Sequence, residues 1–270
     1  MRVTFSGGVA ALLLAAAPSL MEGQSIADRV RGVRNGVVHM SYAARPGVCG
    51  NGANSISFGP SRTMNWSGRY SSDEDEWEAD ECEPGPVRVS LTVNDGNVSR
   101  IRTYVGGGWR PPREGRPTPV DLGMVSVREA TDYLLGITER DAGRAAKDAV
   151  LPAILADSVV VWPRLIRIAR DDGRSRDVRK NAVFWLGHAA GEAAAAGLDS
   201  IVYASDVDRE VREQAVFALS QRPKDEGVPL LIRVVRTNKD PEIKKKALFW
   251  LGQSGDPRAL ALFEEILTKQ

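Results

Sequence analysis

The chain has 270 residues, 43% of them hydrophobic and 26% charged, with a formal net charge of +1. That composition is enough for one or two domains with real cores and excludes a chain disordered throughout. A net charge so near zero leaves no global field to draw nucleic acid or an anionic membrane, so neither is expected as a partner and electrostatic partners must be sought in local patches.

At the amino terminus, Arg2 precedes a small, apolar run from Gly7 to Leu20, with Leu12-Leu-Leu-Ala-Ala-Ala17 at its centre and small residues at Ala17, Ser19 and Gly23. This is the layout of a secretory signal over residues 1–24. The run is shorter than the roughly 20 residues of a comfortable membrane span, and no other stretch approaches it. The mature chain is therefore expected to be exported, periplasmic or extracellular, with no membrane span. Cys49 and Cys82 would then meet an oxidising compartment, and two cysteines suffice for one structural disulfide. A loop of that length closed by a bridge stabilises by roughly 3–4 kcal/mol. No metal site or cofactor is expected, because His39 and His188 are the only histidines and lie in different parts of the chain.

Residues 25–119 read as a β-rich module. They are rich in Gly, Pro, Ser and Asn, and their apolar residues alternate. Val37–Ala43 and Ser55–Phe58 are expected strands, and Val87–Val105 a hairpin about Asn94-Asp-Gly-Asn97. A two-residue turn would set Leu91 against Arg100. A three-residue loop with a bulge would set Leu91 against Ile101 and Val87 against Val105, and the second register is preferred because it keeps the apolar residues on one face. Within the module lies Asp73-Glu-Asp-Glu-Trp-Glu-Ala-Asp-Glu-Cys-Glu83, in which eight of eleven residues are acidic. It is open to calcium, to a basic partner or to plain solvation, and it lacks the glycine and terminal Glu spacing of an EF-hand loop. Arg110, Arg113 and Arg116, in the proline-broken segment Trp109–Pro119, are candidates to face it.

Residues 120–142 are expected to be a linker and a capping helix. Ser126-Val-Arg-Glu129 has the spacing of a capping box, and Ala130, Tyr133, Leu134 and Ile137 share one helical face.

The remainder, residues 143–270, repeats itself. Ser175-Arg-Asp-Val-Arg-Lys-Asn-Ala-Val-Phe-Trp-Leu-Gly187 recurs as Asp208-Arg-Glu-Val-Arg-Glu-Gln-Ala-Val-Phe-Ala-Leu-Ser220 and Asp240-Pro-Glu-Ile-Lys-Lys-Lys-Ala-Leu-Phe-Trp-Leu-Gly252, at offsets of 33 and 32. A fainter first copy precedes them, with Lys147-Asp-Ala-Val150 lying 33 residues before Lys180-Asn-Ala-Val183. A period of this length with helical periodicity inside it predicts a helical solenoid of about four units, each an A helix followed by an antiparallel B helix. The A helices begin at caps Ser175, Asp208 and Asp240, and their buried stripe is Val178, Ala182, Trp185, Leu186 and its equivalents. The B helices are expected at Ala193–Ala204, Val228–Thr237 and Arg258–Leu267.

The pattern from Asp240 to Gly252, followed by Ser254-Gly-Asp-Pro-Arg-Ala-Leu-Ala-Leu-Phe263, resembles bacterial HEAT-like repeats of the type first named in phycobilisome lyases. The resemblance spans residues 143–270 and implies a mainly α fold, a right-handed α-α superhelix of HEAT or armadillo type, here preceded by the disulfide-tied β module. It implies scaffold or adaptor roles more than any chemistry. Two features depart from such a repeat. Phe184, Phe217 and Phe249 stand where the family carries a polar, solvent-facing residue, which leaves two readings: a stripe for a partner, or one covered by packing. Arg167 and Arg170, matched by Arg233 and Arg236 at an offset of 66, lie on B helices, where they are either an acid-reading ladder or solvated cations.

No Gly-x-Ser-x-Gly elbow, His-Glu-x-x-His zinc motif or phosphate loop is present. The reading is thus a non-catalytic, exported scaffold that binds a protein partner. Its rivals are a carbohydrate-binding or assembly factor acting through the β module, and, further off, a hydrolase with a carboxylate pair.

Overall fold

A computed structural model describes residues 24–52, 55–58, 63–65, 82–109, 118–188 and 192–268. The expected signal run, Arg110, Arg113, Arg116 and all of the acidic run before Cys82 lie outside the described residues. The described chain opens on a short helix that alternation could not reveal, α1 (Ile26–Arg31), whose cap Ser25 accepts from the Asp28 amide at 3.2 Å.

Strands follow in two sheets. β1 (Asn35–Tyr42), β6 (Val87–Asn94), β7 (Asn97–Val105) and β8 (Val120–Met124) form one, in the order β7-β6-β1-β8. The other contains β2 (Val48–Gly50), β3 (Ser55–Phe58), β4 (Thr63–Asn65) and β5 (Glu83–Pro84), in the order β4-β3-β2-β5. In the first sheet Val38, Met40 and Tyr42 stand opposite Leu91, Val89 and Val87, which stand opposite Ile101, Thr103 and Val105. Because side chains alternate across a strand, these residues make one face, and all but Thr103 are buried.

The hairpin register is the one that buried face demands, but the device is not the expected three-residue loop. Asp95 and Gly96, with φ of 49° and 76°, make a two-residue turn between the paired Asn94 and Asn97, a turn whose twist suits a hairpin. The shift arises at a bulge: Thr92 faces Arg100 while Val93 faces Val98, leaving Ser99 over. The Asn94 carboxamide donates to the Ser99 hydroxyl at 2.9 Å, and that hydroxyl donates to the Thr92 carbonyl at 3.2 Å.

Cys49 and Cys82 are bonded, with Cα atoms 5.2 Å apart. Cys49 lies in β2, and β5, which follows Cys82 directly, pairs with β2, so the bridge ties the small sheet together. The two sheets meet at a glycine turn. Arg88, 4% exposed, donates to the Gly106 carbonyl oxygen, and Glu83 accepts from the Gly107 amide at 2.9 Å. Gly106 sits at φ 68°, and a Cβ on Gly52 would lie 2.9 Å from its carbonyl oxygen, so only glycine fits at this crossing.

Helices occupy the rest: α2 (Val127–Arg140), then α3 (Arg144–Asp148), α4 (Val150–Leu155) and α5 (Trp162–Arg170), and then the pairs α6 (Arg176–Leu186) and α7 (Glu192–Tyr203), α8 (Arg209–Ser220) and α9 (Lys224–Thr237), α10 (Pro241–Ser254) and α11 (Pro257–Thr268). In the first unit the A helix is split into α3 and α4. Pro152 has no amide to bond the Asp148 carbonyl, so the ladder breaks there. Val178, Ala182, Trp185 and Leu186, with Val211, Ala215, Ala218 and Leu219, are buried as expected, as are Ile243, Ala247 and Leu251.

An arginine ladder ties one unit to the next. Arg179, 3% exposed, donates to the Ala169 carbonyl at 3.0 Å and to Asp208, the cap of the next A helix, at 2.5 Å. Arg212 repeats this with the Val202 carbonyl at 3.1 Å and Asp240 at 3.1 Å. Asp240 also caps its own helix, accepting from the Glu242 amide at 3.0 Å, whereas Asp208 makes no side-chain cap bond and gives its carboxylate to Arg179.

The capping box does not form. Ser126 makes no side-chain cap bond, and Glu129 instead accepts from the Ile26 amide of α1 at 2.6 Å. The sheet and the helices share one hydrophobic core, in which the sheet's apolar face lies against α3 and α4 and so covers the first unit. Tyr42 donates to the Pro152 carbonyl at 2.8 Å, and the Arg45 amide to that of Leu155 at 2.9 Å.

Candidate partner-binding surface

The A helices α6, α8 and α10 lie side by side, which brings the repeated phenylalanines into one row. The Phe184 and Phe217 rings are stacked with centroids 6.4 Å apart. Phe217 then meets Trp250 at 4.9 Å, and Phe249 packs edge-on against Trp250 at 5.0 Å. His188 extends the other end, 4.8 Å from Phe184. Each phenylalanine precedes a residue of the buried stripe by one position, so it sits about 100° round the helix, on the shoulder of the core. Phe184 and Phe217 are half-buried by adjacent repeats, whereas Phe249 is 55% exposed. The ring partners of the row are thus its own neighbours.

The arginines are arranged differently. Arg233 pairs with Asp199 of α7 and lies 5.9 Å over the Tyr203 ring, and Arg236 pairs with Glu265 of α11 at 2.7 Å. Arg167 and Arg170 are exposed on α5. Arg164, which sequence reasoning passed over, grips Glu139 with bonds of 2.8 and 2.7 Å and reaches Asp132 at 2.9 Å. Its hydrogen bonds hold the Glu139 carboxyl below the usual carboxylate range. Arg164, Arg233 and Arg236 therefore serve carboxylates of neighbouring helices, while Arg167 and Arg170 stand exposed. No signal within one repeat could have revealed this, because each acid lies 25–34 residues from its arginine in the chain or on another unit's helix.

Residues 201–270 match the family model for HEAT repeats. The match covers the last two helix pairs and the turn before them, and this stretch is similar to a repeat type that suggests a protein-interaction scaffold. No curated protein matches the chain.

Outside the matched stretch, the outward face of the main sheet carries polar residues. Three adjacent strands set Ser90, His39 and Asp121 side by side, the residue types of an acyl-transfer triad. The geometry is wrong for that chemistry: no hydrogen bond joins His39 to either residue among those described, and Trp109 is stacked on the imidazole at 3.7 Å. Burial pushes the imidazole's pKa down, Asp121 pulls it up and Arg88 pushes it down further. Arg88 lies 5.2 Å from the Trp109 ring, and Tyr104 meets the same ring edge-on at 6.0 Å. Trp109 is thus packed, among the described residues, against its own sheet by His39, Tyr104 and Arg88. Among the described residues, no cluster of three or more His, Cys, Asp or Glu side chains could hold a metal, and no helix is long and apolar enough to cross a membrane.

Proposed function

We propose that this chain is an exported, non-catalytic scaffold, in which a right-handed HEAT-like superhelix of the type first named in phycobilisome lyases presents its A-helix face to a protein partner. The aromatic row carries the reading: it crosses three repeats and ends in a large apolar ring left in solvent at Phe249. Stacking explains Phe184 and Phe217 but gives Phe249 no cover, and an exposed aromatic continuous with a buried row is what an interface core uses. On this reading Phe249 is the anchor, Phe217 and Phe184 its support, and Arg167 and Arg170 a separate cationic patch on the B-helix side. The disulfide is compatible with an oxidising compartment, and the amino-terminal run supplies the address. No lyase chemistry is proposed.

A photo-crosslinking residue placed at 249 and, as control, at the exposed Glu242 of the same helix tests the surface. A discrete protein adduct from position 249, absent from 242, is expected. Identical adducts from both positions would sink the reading.

A further inference from the structure

Beside the exposed phenylalanine, a crevice of about 250 Å³ opens between the ends of α8 and α10 and the start of α9. It exists because one junction of the stack is built differently from the one before it. Between α6 and α8 the contact pair is Gly187 and Ala218, so close that a Cβ on Gly187 would lie 3.0 Å from the Ala218 methyl. Between α8 and α10 the equivalent residues are Ser220 and Trp250, and both line the crevice. Trp185, the tryptophan of the earlier repeat, is wholly buried, while Trp250 is only half-buried.

The charged groups of the lining are all cationic. Its floor is apolar, with Val228 and Leu231 buried there. Of its two cations, Arg222 is neutralised by Glu226 at 2.6 Å, and Lys224 has no carboxylate within 4.0 Å among the described residues, its electrostatic partner being Asp256, which is itself held by Arg258. The indole N–H of Trp250 is buried and has no acceptor among the described residues, which is unfavourable unless an acceptor reaches it. The Ser220 hydroxyl is already committed to the Phe217 carbonyl at 2.7 Å. Among the described residues, no carboxylate lines the crevice. Besides the neutral carboxamides of Gln221 and Gln253, what remains is an indole N–H and an ammonium over an apolar floor, joined through the Trp250 ring to those of Phe249 and Phe217.

We propose that this crevice is a socket for an acidic side chain of a partner polypeptide, its carboxylate taking hydrogen bonds from the Trp250 indole and the Lys224 ammonium while a neighbouring apolar side chain lies on Phe249. The inference rests on the scaffold reading and names the chemistry that the surface selects. Charge complementarity chooses the occupant: a cation and an N–H without an acceptor require an acceptor that brings negative charge, and the adjoining rings require an apolar group linked to it.

The test uses the full chain labelled with ¹⁵N, the Trp250 indole resonance being assigned by its loss in Trp250→Phe. The probe is acetyl-Ser-Phe-Glu-Asp-Leu-Ser-amide, compared with the peptide in which Gln and Asn replace the two acids, and with glutarate alone. A saturable shift of the Trp250 resonance by the acidic peptide is expected, with the amide peptide at least about tenfold weaker and Lys224→Met weakening the acidic peptide by about fivefold or more. Equal binding of the two peptides, a Trp250 resonance that does not move, or equal binding of glutarate would overturn the socket. If position 249 still crosslinks its partner when the resonance stays put, the socket alone fails and the scaffold surface stands.

Discussion

At the scale of single residues, Arg179 and Asp256 show how local sequence and distant partners combine. Arg179 looks like one more surface cation in a Val-Arg pair, yet it is buried because the Asp208 cap and the Ala169 carbonyl await it. Arg179→Met leaves those acceptors without a donor and is expected to cost about 2–4 kcal/mol in urea denaturation. Arg176→Ala, which removes an exposed pair with Glu210, should cost under about 0.5 kcal/mol. Equal effects would show that the ladder is not what joins the repeats. Asp256 precedes α11 and accepts from the Arg258 guanidinium at 2.9 and 2.8 Å and from its amide at 2.9 Å. Those bonds lower its pKa from 3.8 to about 2. A depressed carboxyl takes up its proton first in the unfolded chain, so its stabilisation is complete above pH 3.8 and is lost as pH falls toward about 2. Asp256→Asn should therefore flatten the fall in stability across that window; an acid-unfolding curve parallel to that of the unaltered protein would exclude the effect.

At the scale of elements, periodicity did most of the work where the chain repeats. The helix starts at Ser175, Asp208 and Asp240 and most of the buried stripe fall where the 33- and 32-residue offsets put them, because each is decided within one or two turns; Trp250, expected in the stripe, is only half-buried, and Asp208 makes no side-chain cap bond. The hairpin register was legible for the same reason, since a strand exposed to water on one side admits only one alignment of its apolar residues. The bulge at Ser99 was not, because a surplus residue in an alternating strand looks like the strand's own polar face. β8 lies in the stretch read as a linker, and α1, at 6 residues, is too short for a helical stripe to show. Gly227 marks another limit: in sequence it is merely a helix-weakening residue, but in α9 a Cβ there would fall well inside contact distance of the Leu219 carbonyl oxygen. Gly227→Ala should thus destabilise by about 1–3 kcal/mol, whereas Gly143→Ala, which has open space at its Cβ, should change stability by less than about 1 kcal/mol. Thermal denaturation of the two variants, with the order reversed, would refute the close packing of α8 on α9.

At the scale of the whole molecule, the sheet acts as the cover of the first repeat and shares its core with it. A terminal repeat cannot bury its outer face alone, so here a β-sheet does what a further helix pair would do. The disulfide consequently reaches beyond the small sheet that it ties. Reduction should lower stability by about 3–4 kcal/mol and should move the helical circular-dichroism transition together with the fluorescence transition of the tryptophans. A helical transition unaffected by reductant would mean that the solenoid stands without its cover.

The sequence by itself determined the helical repeat, its caps, its buried stripe and the two cysteines, all of which follow from spacing along the chain and need no knowledge of neighbours. Only the tertiary structure decided what the surplus residues do. Phe217 stacks on Phe184 of the previous repeat, Arg233 pairs with Asp199, and Glu129 closes the end of α1 from 103 residues away. A side chain on the shoulder of a helix has its role fixed by whichever element packs beside it, and that element lies a full repeat or more away in the chain.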